Sequence, residues 1–220
     1  MTGPTPLDSG DCCEDLPVFL EGGDRLAVEL RELAFGLLLA TGAGVEPRRL
    51  ATLANADEAH VSATLDALAG AGRIDRDADG RVLGSAGLTI ADGPHGLEIQ
   101  GRTFRTWCAF DAIGIPAALG SDARISTACG VCGQPIRIEL DGGRPTADSP
   151  ARLWLSDGGA DMRADFCTPT VLLCSGEHAL DWSERRAGHG RALSLAEAID
   201  EGARSWASPA STAARFGSSR

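Results

Sequence analysis

From residue 24 the chain falls into a helical rhythm. In "DRLAVELRELAFGLLLAT" (24–41), Leu26, Leu30, Leu33 and Leu37 recur at three- and four-residue steps, which predicts an amphipathic helix. Asp24 stands where an N-terminal cap belongs and Gly42 where a helix stops. The pattern then predicts a short helix over 47–54, a turn through Asn55 to Asp57, and a second helix over 58–69. "GRIDRDADGRVLG" alternates around Asp79-Gly80 in the manner of a β-hairpin. Three helices and a two-stranded wing are the element order of a winged helix-turn-helix.

Beyond a loop, "SAGLTIADGPHG" (85–96), the pattern predicts a short strand at "LEIQG" and a helix over 103–115 closed by Pro116. "ARISTACGVCGQPIRIEL" reads as two strands around a tight Gly-rich turn, and 151–156 and 164–176 as two more strands. "EHALDWSERRAG" and "SLAEAIDEGARSWA" read as closing helices, the second opened by a Ser194/Glu197 capping box. The expected fold class is α+β: a winged-helix-like helical module over 21–84, then a mixed α/β module with a small antiparallel sheet over 85–206. A flexible leader (1–20) and a frayed tail (207–220) flank them.

Composition narrows the functions open to such a chain. Of 220 residues, 43% are hydrophobic, enough for a packed core. All 20 basic residues are Arg, against 31 acidic ones, and the net charge of −11 disfavours nucleic acid and anionic membranes as partners. The helix that would read DNA carries Glu58 and Asp66 and no cation, whereas phosphate and guanine contacts need cations. The module therefore reads as a structural platform. "LAFGLLLA" (33–40) is too short to span a bilayer, and the N-terminus lacks the pattern of a signal peptide, so a cytoplasmic protein is expected.

Seven Cys stand at 12, 13, 108, 129, 132, 167 and 174. An odd number in a reducing compartment points to metal or thiol chemistry, not to disulfides. Cys108 and Asp111 would be neighbours on one helical face. They form either a buried thiol beside a capping carboxylate or a soft nucleophile beside a proton carrier, and spacing leaves both open. Cys129 and Cys132, in "ACGVCGQP", resemble a zinc knuckle. A four-ligand site would need Cys167 and Cys174, with or without His178, and the alternative is a turn in which one Cys packs in the core. Cys12 and Cys13 could hold a soft metal or be incidental.

With these residues laid out, the chain resembles the organomercurial lyase (alkylmercury lyase) family over residues 25–206. "GRTFRTWCAFDAIGIPAALGSDARISTAC" is similar to the family's Trp-Cys-Ala-x-Asp segment with its later Cys, and "ADFCTPTVLL" to its Phe-Cys segment. The N-terminal region and the "GLTI" loop fit the same layout. The resemblance implies a carbon–mercury lyase, with 85–206 as its catalytic module. Cys108 and Cys167 would be the catalytic thiols and Asp111 the proton carrier, and all three would contact the Hg(II) product; Cys129 matches a Cys with a structural role. It further implies an organomercury substrate, no organic cofactor, an external thiol as reductant and a mercuric reductase as acceptor of Hg(II). The chain departs from the family at Cys167-Thr168-Pro169, where many members carry a second Cys followed by His, and at Cys132. A noncatalytic metal-binding protein of the same fold, using Cys129, Cys132, Cys167 and Cys174, is the alternative.

Overall fold

The computed structural model describes residues 24–186 and 188–217. Cys12, Cys13 and the expected leader lie outside the described residues. Helix α1 (Arg25–Thr41) starts where Asp24 Oδ1 accepts the Leu26 N–H at 2.6 Å and ends at Gly42, whose φ of +65° is the left-handed conformation that glycine adopts without penalty. Helices α2 (Pro47–Ala54) and α3 (Glu58–Gly70) follow, then a hairpin of β1 (Ile74–Arg76) and β2 (Val82–Ser85). In α3, Asp66 forms an ion pair with Arg76 of β1, so a carboxylate of the expected reading helix is used within the module.

β2 passes into a much larger sheet than the small one expected. With β3 (Leu88–Thr89), β4 (His95–Ile99), β5 (Arg102–Thr106), β6 (Ala123–Ala128), β7 (Pro135–Asp141) and β8 (Arg144–Pro145), it forms an eight-stranded antiparallel sheet of order β1-β2-β3-β5-β4-β6-β7-β8. The sheet runs through the 84/85 position without a break. A second antiparallel sheet has the order β10-β9-β11, from β10 (Val171–Leu173), β9 (Arg152–Ser156) and β11 (Gly190–Ser194). The fold is thus mixed α plus antiparallel β. In β7, "PIRIELD", every second side chain is buried, the period-two signature of a half-buried strand.

Helix α4 (Ala109–Leu119) is packed across α6 (Leu195–Ser205). The two backbones meet at Gly114 and Gly202, where a Cβ on either glycine would overlap the other helix or the Trp206 ring. Four expectations need correction here. Residues 102–106 are strand β5, not helix: Phe104 and Thr106 point inward while their neighbours are exposed, a period of two that the helix reading overlooked. Pro116 does not close α4, which continues to Leu119 because burial against α6 outweighs one missing backbone bond. Cys167 sits on a π-helical turn (Met162–Cys167), not on a strand, and Pro169 follows it before β10 begins. Within the expected tail, residues 207–214 are not frayed: they form α7 (Ala207–Ala214), which packs on α1, with Ser208 and Thr212 donating to the Glu32 carboxylate.

Candidate functional site

Strand β5 delivers Trp107 and Cys108 to the N-terminus of α4. Cys108 is the N-cap of that helix, so the Cys–Asp pair is not two positions on one helical face. It is a capping box, in which the Cys108 N–H donates to Asp111 Oδ2 at 2.7 Å and the Asp111 N–H donates to the Cys108 sulfur. Asp111 thus caps the helix beside a buried thiol, and its carboxylate is held against that thiol. On the other side, Gly87 lies so close that a Cβ there would overlap the Asp111 carboxylate. The β2–β3 turn permits this because Ala86 and Gly87 have φ values of +48° and +87°, the paired positive angles of a tight hairpin turn.

The π-helical turn brings Cys167 to the same place. The Cys108 and Cys167 sulfurs and an Asp111 carboxylate oxygen lie within 4.8 Å of one another, and all three residues are buried. The turn is tied to α4 through Thr170, whose carbonyl accepts the Ala109 N–H at 3.3 Å. A second tie runs through Asp75 of β1. Its carboxylate accepts the Trp107 indole N–H at 2.7 Å and the Arg163 guanidinium at 2.7 Å, while Arg163 stacks 3.3 Å over the Trp107 ring. One residue of the N-terminal hairpin thus fixes the neighbours of both cysteines.

Burial governs the electrostatics. The Asp111 carboxyl is pushed up to about 6 by desolvation, against the opposing pull of hydrogen bonds from Cys108, the charge of Arg163 and the Trp107 N–H. Burial also holds the Cys108 thiol well above its ordinary value, helped by its hydrogen bond with Cys167 and the negative charges of Asp111 and Cys167. The bond from the Asp111 N–H opposes this and is outweighed. The site at neutral pH is therefore a protonated Cys108 beside a mostly ionised Asp111.

A cavity of about 20 Å³, room for one water-sized group, opens onto Asp111 and Cys167, with Arg73, Trp107, Met162 and Trp206 among its walls. Cys108 is fully buried and does not line it, whereas Cys167 does. Composition gave no hint of Arg73. Burial lowers its pKa and the charge of Cys167 raises it, and its buried Nη1 has no hydrogen-bond partner among the described residues. Only the sequence position just before β1 could have marked it. Trp206, whose indole N–H donates to the Ala86 carbonyl at 2.8 Å, was likewise hidden in a segment read only as helix.

The remaining cysteines part company with Cys167. Cys129, Cys132, Cys174 and His178 form a separate group. The four-ligand set containing Cys167 is therefore incorrect, because the π-helical turn directs that residue towards Cys108.

A sequence profile of the alkylmercury lyases, the MerB family, matches residues 88–208. An alkylmercury lyase of Bacillus cereus is 29% identical over 186 residues, covering 83% of this chain and 82% of that protein. One from Streptomyces lividans is 31% identical over 151 residues, covering 67% and 68%. Among solved structures, the mercury-bound form of MerB2 superposes with a TM-score of 0.76 at 23% identity, over 88% of this chain and 95% of that one. The profile match spans more than half of the chain, and together with these relatives it shows that the chain belongs to the alkylmercury lyase family.

Proposed function

We propose that this chain cleaves the carbon–mercury bond of organomercury compounds by protonolysis, with Cys108 and Cys167 as thiolate ligands and Asp111 as proton carrier. The observation that carries this reading is the convergence of two thiols and a carboxyl of raised pKa in one buried cluster. Mercury(II) is a soft cation and thiolate is the softest anionic ligand a protein offers.

Cys167 faces the cavity and acts first. Its sulfur displaces the thiol ligand of R–Hg–SR′, forming a Hg–S bond while the Cys167 proton leaves as R′SH. Cys108 then binds mercury from behind, and its proton passes to Asp111, within reach in the same cluster. Two thiolates push electron density onto mercury and weaken its bond to carbon. Asp111 gives its proton to carbon, the pair of electrons in the Hg–C bond becomes the new C–H bond, and a hydrocarbon departs. A carboxyl held near 6 suits both halves of this transfer, because a free carboxyl would be too weak a base to take the thiol proton. Mercury is divalent before and after, so the external thiol, expected as a reductant, serves as a ligand. Two thiols lift Hg(II) from Cys108 and Cys167 and return their protons. A mercuric reductase would then be the natural acceptor in a cytoplasmic setting. No organic cofactor enters any step.

Residues 24–84, the described part of the N-terminal module, serve as a winged-helix-like platform, and 85–206 carry the chemistry. Asp75 supports this division of labour, since it reaches from the hairpin to Trp107 and Arg163. The acidic α3 and the net charge speak against nucleic acid, and no helix among the described residues is long and apolar enough to cross a membrane. The noncatalytic reading is weakened by the pairing of Cys167 with Cys108 in place of the CxxC.

The test is headspace detection of methane or benzene from methylmercury or phenylmercury with excess thiol. Hydrocarbon release well above that of Cys108→Ala and Cys167→Ala is expected. Release at the level of those variants would overturn the proposal.

A further inference from the structure

We propose that Cys129, Cys132, Cys174 and His178 form a structural zinc site, separate from the mercury site. The ligand atoms of all four lie within 4.8 Å of one another. Three of their spacings lie close to those around a tetrahedral ion. With Zn–S about 2.3 Å and Zn–N about 2.05 Å, tetrahedral geometry puts two sulfurs about 3.8 Å apart and a sulfur and nitrogen about 3.5 Å apart. The Cys132 and Cys174 sulfurs are 3.8 Å apart, and His178 Nδ1 stands 3.4 Å from the Cys129 sulfur and 3.1 Å from that of Cys174. A disulfide would need about 2.05 Å between sulfurs.

The backbone is shaped for the same purpose. Cys129-x-x-Cys132 occupies the β6–β7 turn, closed by the Gly133 N–H on the Cys129 carbonyl at 2.9 Å and by a φ of +70° at Gly133. The Cys174 N–H points at the Cys129 sulfur at 3.4 Å, the donor expected around a bound thiolate. His178 is set by α5 (Gly176–Arg185), where its N–H is capped by Ser175 at 3.2 Å. The order Cys-x2-Cys then Cys-x3-His is a knuckle followed by a helix-borne pair. Three thiolates and an imidazole leave no open position, which is the mark of a structural site. The same donor set disfavours mercury as the resident ion, since two thiolates suffice for Hg(II) and the other cluster supplies them.

The position explains what such an ion would do. The Gly130 N–H donates to the Leu172 carbonyl at 3.0 Å, so the knuckle is stitched to β10. β10 follows directly from Thr170, which bonds Ala109, and from Cys167. Binding forms three Zn–S bonds and one Zn–N bond, releases the thiol protons to solvent, and clamps the far end of the strand that leads from Cys167.

The experiment measures metal, so it stands apart from lyase activity. The full chain is expressed with zinc in the medium, purified without chelator, and analysed by elemental mass spectrometry. One zinc per chain is expected, retained in a Cys108→Ala/Cys167→Ala variant and lost in Cys132→Ser/His178→Ala. Substituting cobalt(II) should give the visible d–d bands and thiolate charge-transfer absorption of a tetrahedral site. Since the Cys132→Ser/His178→Ala variant could fail to fold, cobalt titration of the chelator-treated wild type is the second readout. A wild-type chain with no zinc and no tetrahedral cobalt spectrum, a Cys132–Cys174 disulfide, or copper in place of zinc would each overturn the proposal.

Discussion

Replacing Asp111 by Asn separates the carboxyl's cost to folding from its use in chemistry. The side chain is buried and 5% exposed, so Asn fills the same space, and its carbonyl can accept the Cys108 N–H that now bonds Oδ2 at 2.7 Å. What disappears is the ionisation. Burial raises the carboxyl from 3.8 to about 6 in the folded chain. Between those values the native state binds more protons than the unfolded state, so this residue makes stability fall as pH rises. The shift is worth about 3 kcal/mol in full, of which about 2.4 kcal/mol develops between pH 4 and pH 8. Against wild type, Asp111→Asn should therefore gain about 2.4 kcal/mol over that interval, whatever constant offset the amide introduces. Urea denaturation of both chains in reducing buffer at several pH values measures this. The same variant should still take up Hg(II), having both thiols, but should release hydrocarbon at least 100-fold more slowly for want of a general acid. A stability difference that stays constant from pH 4 to pH 8 would refute the electrostatic account, and undiminished hydrocarbon release would refute the proton-carrier role.

Other parts of the structure make separable claims. His95, buried and bonded through Nδ1 to Thr127 Oγ1 at 2.7 Å, is held down to about 4 by desolvation. Its unfolded form binds a proton below about 6.5, so wild type should lose up to about 3 kcal/mol as pH falls from 6.5 to 4, and His95→Gln should lack that part of the slope in the same denaturation series. Gly87→Ala forces a side chain into φ +87° and into the Asp111 carboxylate; a loss of about 2–4 kcal/mol in chemical denaturation is expected, with hydrocarbon release falling too. Arg73→Gln removes the cation beside Cys167 and should slow first-order uptake of a mercurial in stopped-flow measurements while leaving the final mercury stoichiometry unchanged. An unaltered uptake rate would mean that the guanidinium has no part in capture.

The elements that sequence made legible are those whose periodicity is local. α1, α2, α3 and the first hairpin fall where their caps and apolar spacing put them, because Asp24, Gly42, Asn55 and Gly80 act on their own neighbours. The site is different in kind. Cys108 and Cys167 meet through a π-helical turn whose Arg163 and nearby Thr170 are tied to Asp75 and Ala109, residues far from the turn in sequence with no pattern to link them. Resemblance to a family could name the pair; spacing could not. The capping box shows why the original ambiguity could not be resolved from residues alone. A Cys and an Asp three apart at a helix start satisfy backbone donors whether or not chemistry follows, and the difference lies in what stands behind them. Here Gly87 presses on the carboxylate from one side and Cys167 closes the other, so the group that caps the helix is also desolvated beside two thiols. The second cluster makes the converse point. The CxxC lies in a cluster of four potential ligands, but Cys174 and His178 are brought to it only by tertiary contacts, the Gly130 N–H on the Leu172 carbonyl of β10 and the start of α5 just beyond, and the same arrangement sends Cys167 elsewhere. Five cysteines within 67 positions thus divide into two sets by topology, one buried around the Asp111 carboxyl and one shared between the β6–β7 turn and the end of β10. A chain handling mercury benefits from that separation, because a thiolate already saturated by a tetrahedral ion competes less for Hg(II) than a free one.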